Sequence, residues 1–161
     1  MIIALENCLN KESCNNLINI FKANENLHEK HGLSSLLRCK KILDVEQSNY
    51  INKISRYIHN LVIKHTGYLV YPDNIQIVCK TSESEQKIHK DFETSKFTSI
   101  TFLNSLESGE TFFNDFGSVK PRVGRTIIFN GNEIPHGSKI TKEDRYTFIC
   151  WYSDDPNRLE I

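Results

Sequence analysis

The sequence predicts an α+β domain, with helices gathered on one face of a β-sandwich or open barrel. Three observations carry that expectation. Apolar residues in the first half recur at helical spacing in two separate stretches. After Asn74 the apolar period falls from about 3.6 residues to 2. The second half then divides into several short strands, punctuated by glycine, proline, asparagine and aspartate.

Taken in order, Ile2–Leu5 reads as a short first strand. Asn10 offers an N-cap, and Cys14, Leu17, Ile18 and Phe21 then mark an amphipathic helix over 11–22. Residues 23–37 are polar and read as loop, and 38–45 as a short strand. Ile51, Ile54, Ile58, Leu61 and Val62 share a face of a second helix over 48–65, and Gly67 ends it as a C-terminal glycine should. Strands come next over 75–80, 97–104, 110–113, 125–130 and 145–152, while 81–86 is polar and reads as mobile. The last strand is apolar on both faces, which places it centrally in a sheet.

At 161 residues the chain fits one domain, with 1–73 as helical support and 74–152 as the β core. A chain of this size needs neither disulfides nor a structural metal to hold a core. Lysine plus arginine and aspartate plus glutamate balance at 20 each, so net charge argues for neither nucleic acid nor an anionic membrane. The five cysteines are scattered, without a CxxC pair, which suits a reducing cytoplasm. Cys14 and Cys150 fall within apolar patterns and read as core. The N-terminus shows no basic leader, and no stretch approaches the ~20 apolar residues of a membrane span.

The chemistry concentrates between His89 and Trp151. On extended backbone, residues i and i+2 project to one side, so His89 and Asp91 aim their donors at a common point. An HxD pair arises readily by chance in a chain with six histidines, and a polar strand end looks the same. Context adds weight. His136 comes after an apolar strand, with enough intervening chain for several strands to bring it back to the pair. Arg145 begins the most hydrophobic strand, where a buried guanidinium requires an anionic partner: either a bound carboxylate or a structural Asp or Glu. Two imidazoles and a carboxylate make the facial ligand set of a non-haem iron site. His28-Glu29-Lys30-His31 is not the HExxH zinc motif, because its second histidine falls one position early. These two histidines read as surface residues, and His59 and His65 as neighbours of the core. Trp151 and the aromatics Phe92, Phe97, Phe112 and Phe113 also read as core.

An ordered set of short blocks completes the pattern: Ile75-Gln76-Ile77-Val78, His89-Lys90-Asp91-Phe92, Thr98 to Asn104, Ser108 to Phe113, Pro121 to Phe129, His136-Gly137, and Arg145 to Tyr152. Over about 80 residues their order and spacing resemble the catalytic core of the Fe(II)/2-oxoglutarate-dependent dioxygenases, and most closely the prolyl 4-hydroxylase branch. The resemblance implies a double-stranded β-helix of the jelly-roll or cupin kind. It implies iron held by His89, Asp91 and His136, with no catalytic residue beyond these ligands. It implies Arg145 pairing with the C5 carboxylate of 2-oxoglutarate, O₂ as second co-substrate, and ascorbate as reductant. A carboxylate at Asp91, where related halogenases carry a small residue, favours hydroxylation. The family's tyrosine near Cys79-Lys80 has no counterpart, so Thr98, Thr111 or Lys80 is expected to complete the 2-oxoglutarate site. The usual lid before HxD is replaced by the acidic stretch 81–86, a candidate substrate lid.

The function implied is hydroxylation of a prolyl residue in a peptide or protein. Hydroxylation of a free amino acid or small metabolite is the alternative within the same chemistry. A non-catalytic cupin-like binding or sensing protein is the alternative outside it.

Overall fold

The computed structural model describes residues 1–159. Among them the chain forms β1 (Ile2–Leu5), α1 (Lys11–Ala23), β2 (Glu29–His31), β3 (Ser34–Arg38), α2 (Val45–Thr66), β4 (Tyr71–Lys80), β5 (Gln86–His89), β6 (Phe97–Phe102), β7 (Thr111–Phe113), β8 (Gly117–Val119), β9 (Thr126–Phe129), β10 (His136–Ser138) and β11 (Arg145–Ser153). Every strand pairing is antiparallel. A seven-stranded sheet runs in the order β1-β9-β6-β11-β4-β3-β2, and a four-stranded sheet in the order β5-β10-β7-β8.

The helices form where their caps and apolar faces dictate. Asn10 accepts from the Ser13 amide at 2.8 Å and starts α1, burying Cys14, Leu17, Ile20 and Phe21. Helix α2 begins three residues before its expected start, because Asp44 accepts from the Gln47 amide at 2.8 Å. It ends at Gly67, whose φ of 75° places it in the left-handed region. Among the described residues no helix is long and apolar enough to cross a membrane.

The strand expected over 38–45 is absent. Ile42 is buried while Leu43 is 90% exposed, Cys39–Lys41 form a 3₁₀ turn, and the Asp44 cap commits the chain from Val45 onward to α2. The strand lies earlier, within the stretch read as loop. Glu29–His31 and Ser34–Arg38 form a hairpin, and β3 pairs with β4 from Ser34 opposite Lys80 to Arg38 opposite Gln76. Its turn is Gly32-Leu33, with Gly32 at φ +60°, as a two-residue hairpin loop with glycine first requires.

Two clusters divide the interior. The larger packs α1 and α2 against one face of the seven-stranded sheet, through Ile75, Ile77, Phe148, Cys150 and Tyr152. The smaller lies between the two sheets and joins Ile100, Phe102, Ile127 and Phe129 to Phe113 of the small sheet. Strand β11 sits between β4 and β6, so both its faces are covered. Phe148, Cys150 and Tyr152 face the helices; Arg145, Ile149 and Trp151 face the space between the sheets.

Candidate metal centre

One cavity of about 630 Å³ opens between the sheets, within the range of small-molecule sites. At one end stand His89, which closes β5, and His136, which opens β10; the two are register partners across the small sheet. Asp91 lies just beyond β5, its backbone N–H donating to the Gly131 carbonyl at 2.9 Å. Asp91 Oδ1 is 3.5 Å from His89 Nε2 and 3.4 Å from His136 Nε2. One donor atom from each of the three lies within 4.8 Å of the others.

Local hydrogen bonds orient both imidazoles. His89 Nδ1 contacts the Lys87 carbonyl at 2.9 Å, and His136 Nδ1 the Ile134 carbonyl at 2.8 Å. In each ring Nδ1 is therefore the donor to that carbonyl, and Nε2 faces the Asp91 carboxylate, to which it donates while it carries a proton and beside which it offers a metal its lone pair once that proton is displaced. Phe129 packs edge-on against His136, which is 4% exposed. Burial alone would raise the Asp91 carboxyl, but hydrogen bonds from His136, His89 and Thr98 outweigh it and hold it well below the usual carboxylate range. The hydrogen bond to Asp91 likewise raises the pKa of His89. A bound cation replaces that shared proton.

The other end of the cavity is cationic. Arg145 is 2% exposed, and its Nε donates to the Gly109 carbonyl and its NH2 to Thr111 Oγ1, both at 2.8 Å. The guanidinium carbon stands 5.2 Å from the centre of the Phe102 ring. Directly across the β4–β11 ladder is Lys80, 8% exposed. Among the described residues neither cation has a carboxylate within salt-bridge distance. Two further polar atoms on strands bordering this space, Ser138 Oγ and Thr147 Oγ1, are buried without a hydrogen-bond partner. A protein rarely buries like charges together unless an anion joins them.

No family model matches the chain, and no curated protein matches it in sequence. Solved structures do match in fold. A 2OG-Fe(II) oxygenase family protein from Burkholderia pseudomallei superposes with a TM-score of 0.77 at 14% identity, covering 99% of this chain and 88% of that one. A prolyl hydroxylase from Trichoplax adhaerens, solved with a hypoxia-inducible-factor peptide fragment, gives 0.74 at 15% identity, covering 98% and 85%. The epimerase SnoN of nogalamycin biosynthesis, solved with Fe3+ and alpha ketoglutarate, gives 0.77 at 12% identity, covering 95% and 78%. This chain has the double-stranded β-helix fold of the Fe(II)/2-oxoglutarate oxygenases.

Within that fold the structure brings His89, Asp91 and His136 together and sets Arg145 and Lys80 at the opposite end of the same cavity. The two threonines offered as co-substrate contacts have other partners. Thr98 donates its hydroxyl to Asp91 Oδ2 at 2.5 Å, and Thr111 accepts from Arg145. Both therefore orient charged groups. The stretch 81–86 is tied down: the Glu83 amide donates to the Thr141 carbonyl at 2.8 Å, the Thr141 amide to the Ser84 carbonyl at 3.0 Å, and Ser84 is 4% exposed. Glu83 is exposed, and Glu85 stands at the exposed rim of the cavity. Phe92, read as core, is 71% exposed at the cavity mouth, because Asp91 points inward and the next side chain must point out. Trp151 lines the cavity, whereas Phe97 and Phe113 are core. His31 reaches the mouth, while His28 stacks on Phe21 with ring centres 3.9 Å apart.

Sequence reasoning missed the wall that β3 supplies through Ser34, Leu36 and Arg38, whose signal was the Gly32 hairpin turn. It also missed Gly131. A Cβ there would collide with the Asp91 carboxylate and Thr98 Oγ1, so the loop passes too close for any side chain. Gly131→Ala is expected to fold normally yet bind Fe(II) about 10–100-fold more weakly, since it displaces the hydrogen-bonded shell around Asp91. Anaerobic titration checks this; wild-type affinity would show that Asp91 has room to shift.

Burial, and next the nearby Arg145, push the Lys80 ammonium down to about 8. Between that value and the 10.5 of an unfolded lysine, the unfolded chain holds a proton that the folded one has released. Stability from this group therefore rises with pH through that window and is lost as pH falls through it. Lys80→Met should stabilise the ligand-free protein near neutrality by on the order of 1–3 kcal/mol. It should also flatten the pH dependence above pH 8 relative to wild type. The comparison cancels Cys14 and Cys79, whose thiols burial pushes up to about 11 and which act oppositely above pH 9. Equal slopes in the two proteins would refute the assignment.

Proposed function

We propose that this chain is an Fe(II)- and 2-oxoglutarate-dependent hydroxylase acting on a prolyl residue of a peptide or protein. One observation carries the reading: a single cavity joins a His-Asp-His cluster to a buried Arg145–Lys80 pair that has no acidic partner among the described residues. The donor set fits iron: two imidazoles whose Nδ1 atoms are held by backbone carbonyls, leaving Nε2 for a metal, and a carboxylate held ionised. The cationic end fits the distal carboxylate of a keto diacid, which Arg145 and Lys80 neutralise while the buried hydroxyl of Ser138 on the cavity wall gains a partner.

When bound, iron and 2-oxoglutarate would together supply O₂-dependent oxidative decarboxylation, one oxygen atom going to succinate formed with CO₂ and the other to a C–H bond, with ascorbate serving only to keep the iron ferrous. The chain's own work is placement. Asp91 and the two histidines fix the metal, and Thr98 holds Asp91 in its rotamer through Oδ2. Gly109 and Thr111 aim Arg145. Phe113 and Phe129 keep water from the inner side of His136.

A polymeric substrate is favoured over a free amino acid by the shape of the mouth. Past Phe92 and Trp151 the cavity continues into a recess of about 460 Å³ that shares Arg38 with it and reaches Lys40, Asn74 and Ser95. A recess adjoining the site in this way has room for chain that flanks a reacting residue. Anaerobic Fe(II) and 2-oxoglutarate should give the weak visible charge-transfer band of a chelated keto acid. Succinate release should then be stimulated by proline-containing peptides and not by free proline. A wild-type protein without the band would sink the enzymatic reading, and stimulation by free proline alone would move the substrate to small metabolites.

A further inference from the structure

Strand β5 contains a register defect with a chemical consequence. His136 pairs with His89 and Ser138 pairs with Gln86, so two residue steps on β10 match three on β5. In a regular strand, residues 86 and 89 would point to opposite faces. The extra residue turns Gln86 back, and both side chains line the same cavity. Gly137 lies opposite the defect, where a Cβ would meet the Gln86 carbonyl and the Phe112 ring. The Lys87 carbonyl inside the defect accepts from His89 Nδ1. A single irregularity therefore sets both the tautomer of His89 and the direction of Gln86.

Gln86 Nε2 stands 3.4 Å from His89 Nε2, on the open side of the cluster. Once a metal takes that lone pair, the carboxamide loses its acceptor but keeps two N–H donors beside the metal. We propose that Gln86 is a positioning residue that donates a hydrogen bond to an anionic oxygen ligand chelated at the metal next to His89. This rests on the metal-binding reading above and adds a residue to it. Gln86 is solvent-exposed, so its replacement does not threaten the fold.

The test uses the Co(II)-loaded full chain, read by visible d–d absorption, with oxalate as probe. Oxalate is a chelating dianion with no distal carboxylate for Arg145. Gln86→Leu and Gln86→Glu should keep Co(II) affinity within about twofold. Oxalate should weaken about tenfold in Q86L, the value of one hydrogen bond to a charged group, and further in Q86E. Arg145→Met should leave oxalate unchanged. Wild-type oxalate affinity in Q86L would overturn the proposal, as would a loss of Co(II) itself beyond about tenfold, which would make Gln86 a ligand or a structural prop. A wild type that binds oxalate but not 2-oxoglutarate would defeat the proposed function and leave the role of Gln86 standing.

Discussion

Asp91→Asn is expected to reduce Fe(II) affinity by more than about 100-fold, beyond the 10–100-fold that accompanies loss of an outer-shell partner. The substitution keeps the shape and removes the charge, and here the charge carries the effect. Asp91 is the one acid of the cluster, it is held ionised by three hydrogen bonds, and one oxygen faces both imidazoles while the other accepts from Thr98. An amide in its place offers one oxygen at most and no countercharge to a divalent cation. His89 should respond in step: with the carboxylate gone, the cause of its raised pKa is removed and the ring titrates lower. Anaerobic calorimetry with Fe(II) and an NMR titration of His89 measure the two effects. Affinity within tenfold of wild type would show that the cluster binds metal without its carboxylate.

Arg145→Met should weaken 2-oxoglutarate by about 100-fold while Fe(II) affinity stays at the wild-type value, because truncating one member of a buried charge pair costs about 2–5 kcal/mol. The discriminating ligand is pyruvate, which shares the keto-acid chelate but lacks the distal carboxylate. Its affinity for the loaded metal should be equal in wild type and R145M. Unliganded R145M should be no less stable than wild type, since the guanidinium is buried against a second cation and burial already lowers its pKa. Arg145→Lys keeps a charge but cannot reach Gly109 and Thr111 with a fork, so it should recover only part of the lost affinity. Equal loss of pyruvate and 2-oxoglutarate would show that Arg145 acts on the metal end.

The parts of this site that were legible in the sequence are those encoded by parity. His89 and Asp91 sit two apart, and Arg145, Ile149 and Trp151 alternate with Phe148, Cys150 and Tyr152, so which face each occupies comes from the strand period. The order of the blocks supplied what a lone HxD could not. What stayed hidden depends on irregularity or on pairing across the chain. Gln86 faces the metal end only because β5 carries an extra residue, and a register defect leaves no mark in hydrophobic periodicity. Strand β3 has no alternation, since Ser35 and Leu37 face the helices while Ser34, Leu36 and Arg38 face the cavity; its conformation is imposed by the β4 edge. Thr98 and Thr111 lie near the charges, yet both hydroxyls are engaged within the protein, because a hydroxyl goes to the strongest acceptor or donor in reach.

The cavity's two ends belong to different sheets. Both histidines stand on the four-stranded sheet, whereas Lys80 and Arg145 stand on the seven-stranded one. The chain joins these layers through loops, a modest inner cluster and the Arg145–Thr111 contact. A keto diacid gripped at both ends would act as a rivet between the layers. Metal and diacid should then reinforce each other's binding, and amide exchange should slow in β5, β7 and β10 only when both are present. With the proposed function, the small sheet would be a layer whose rigidity is set by its cargo, which would tie readiness for oxygen to the arrival of the molecule consumed with it.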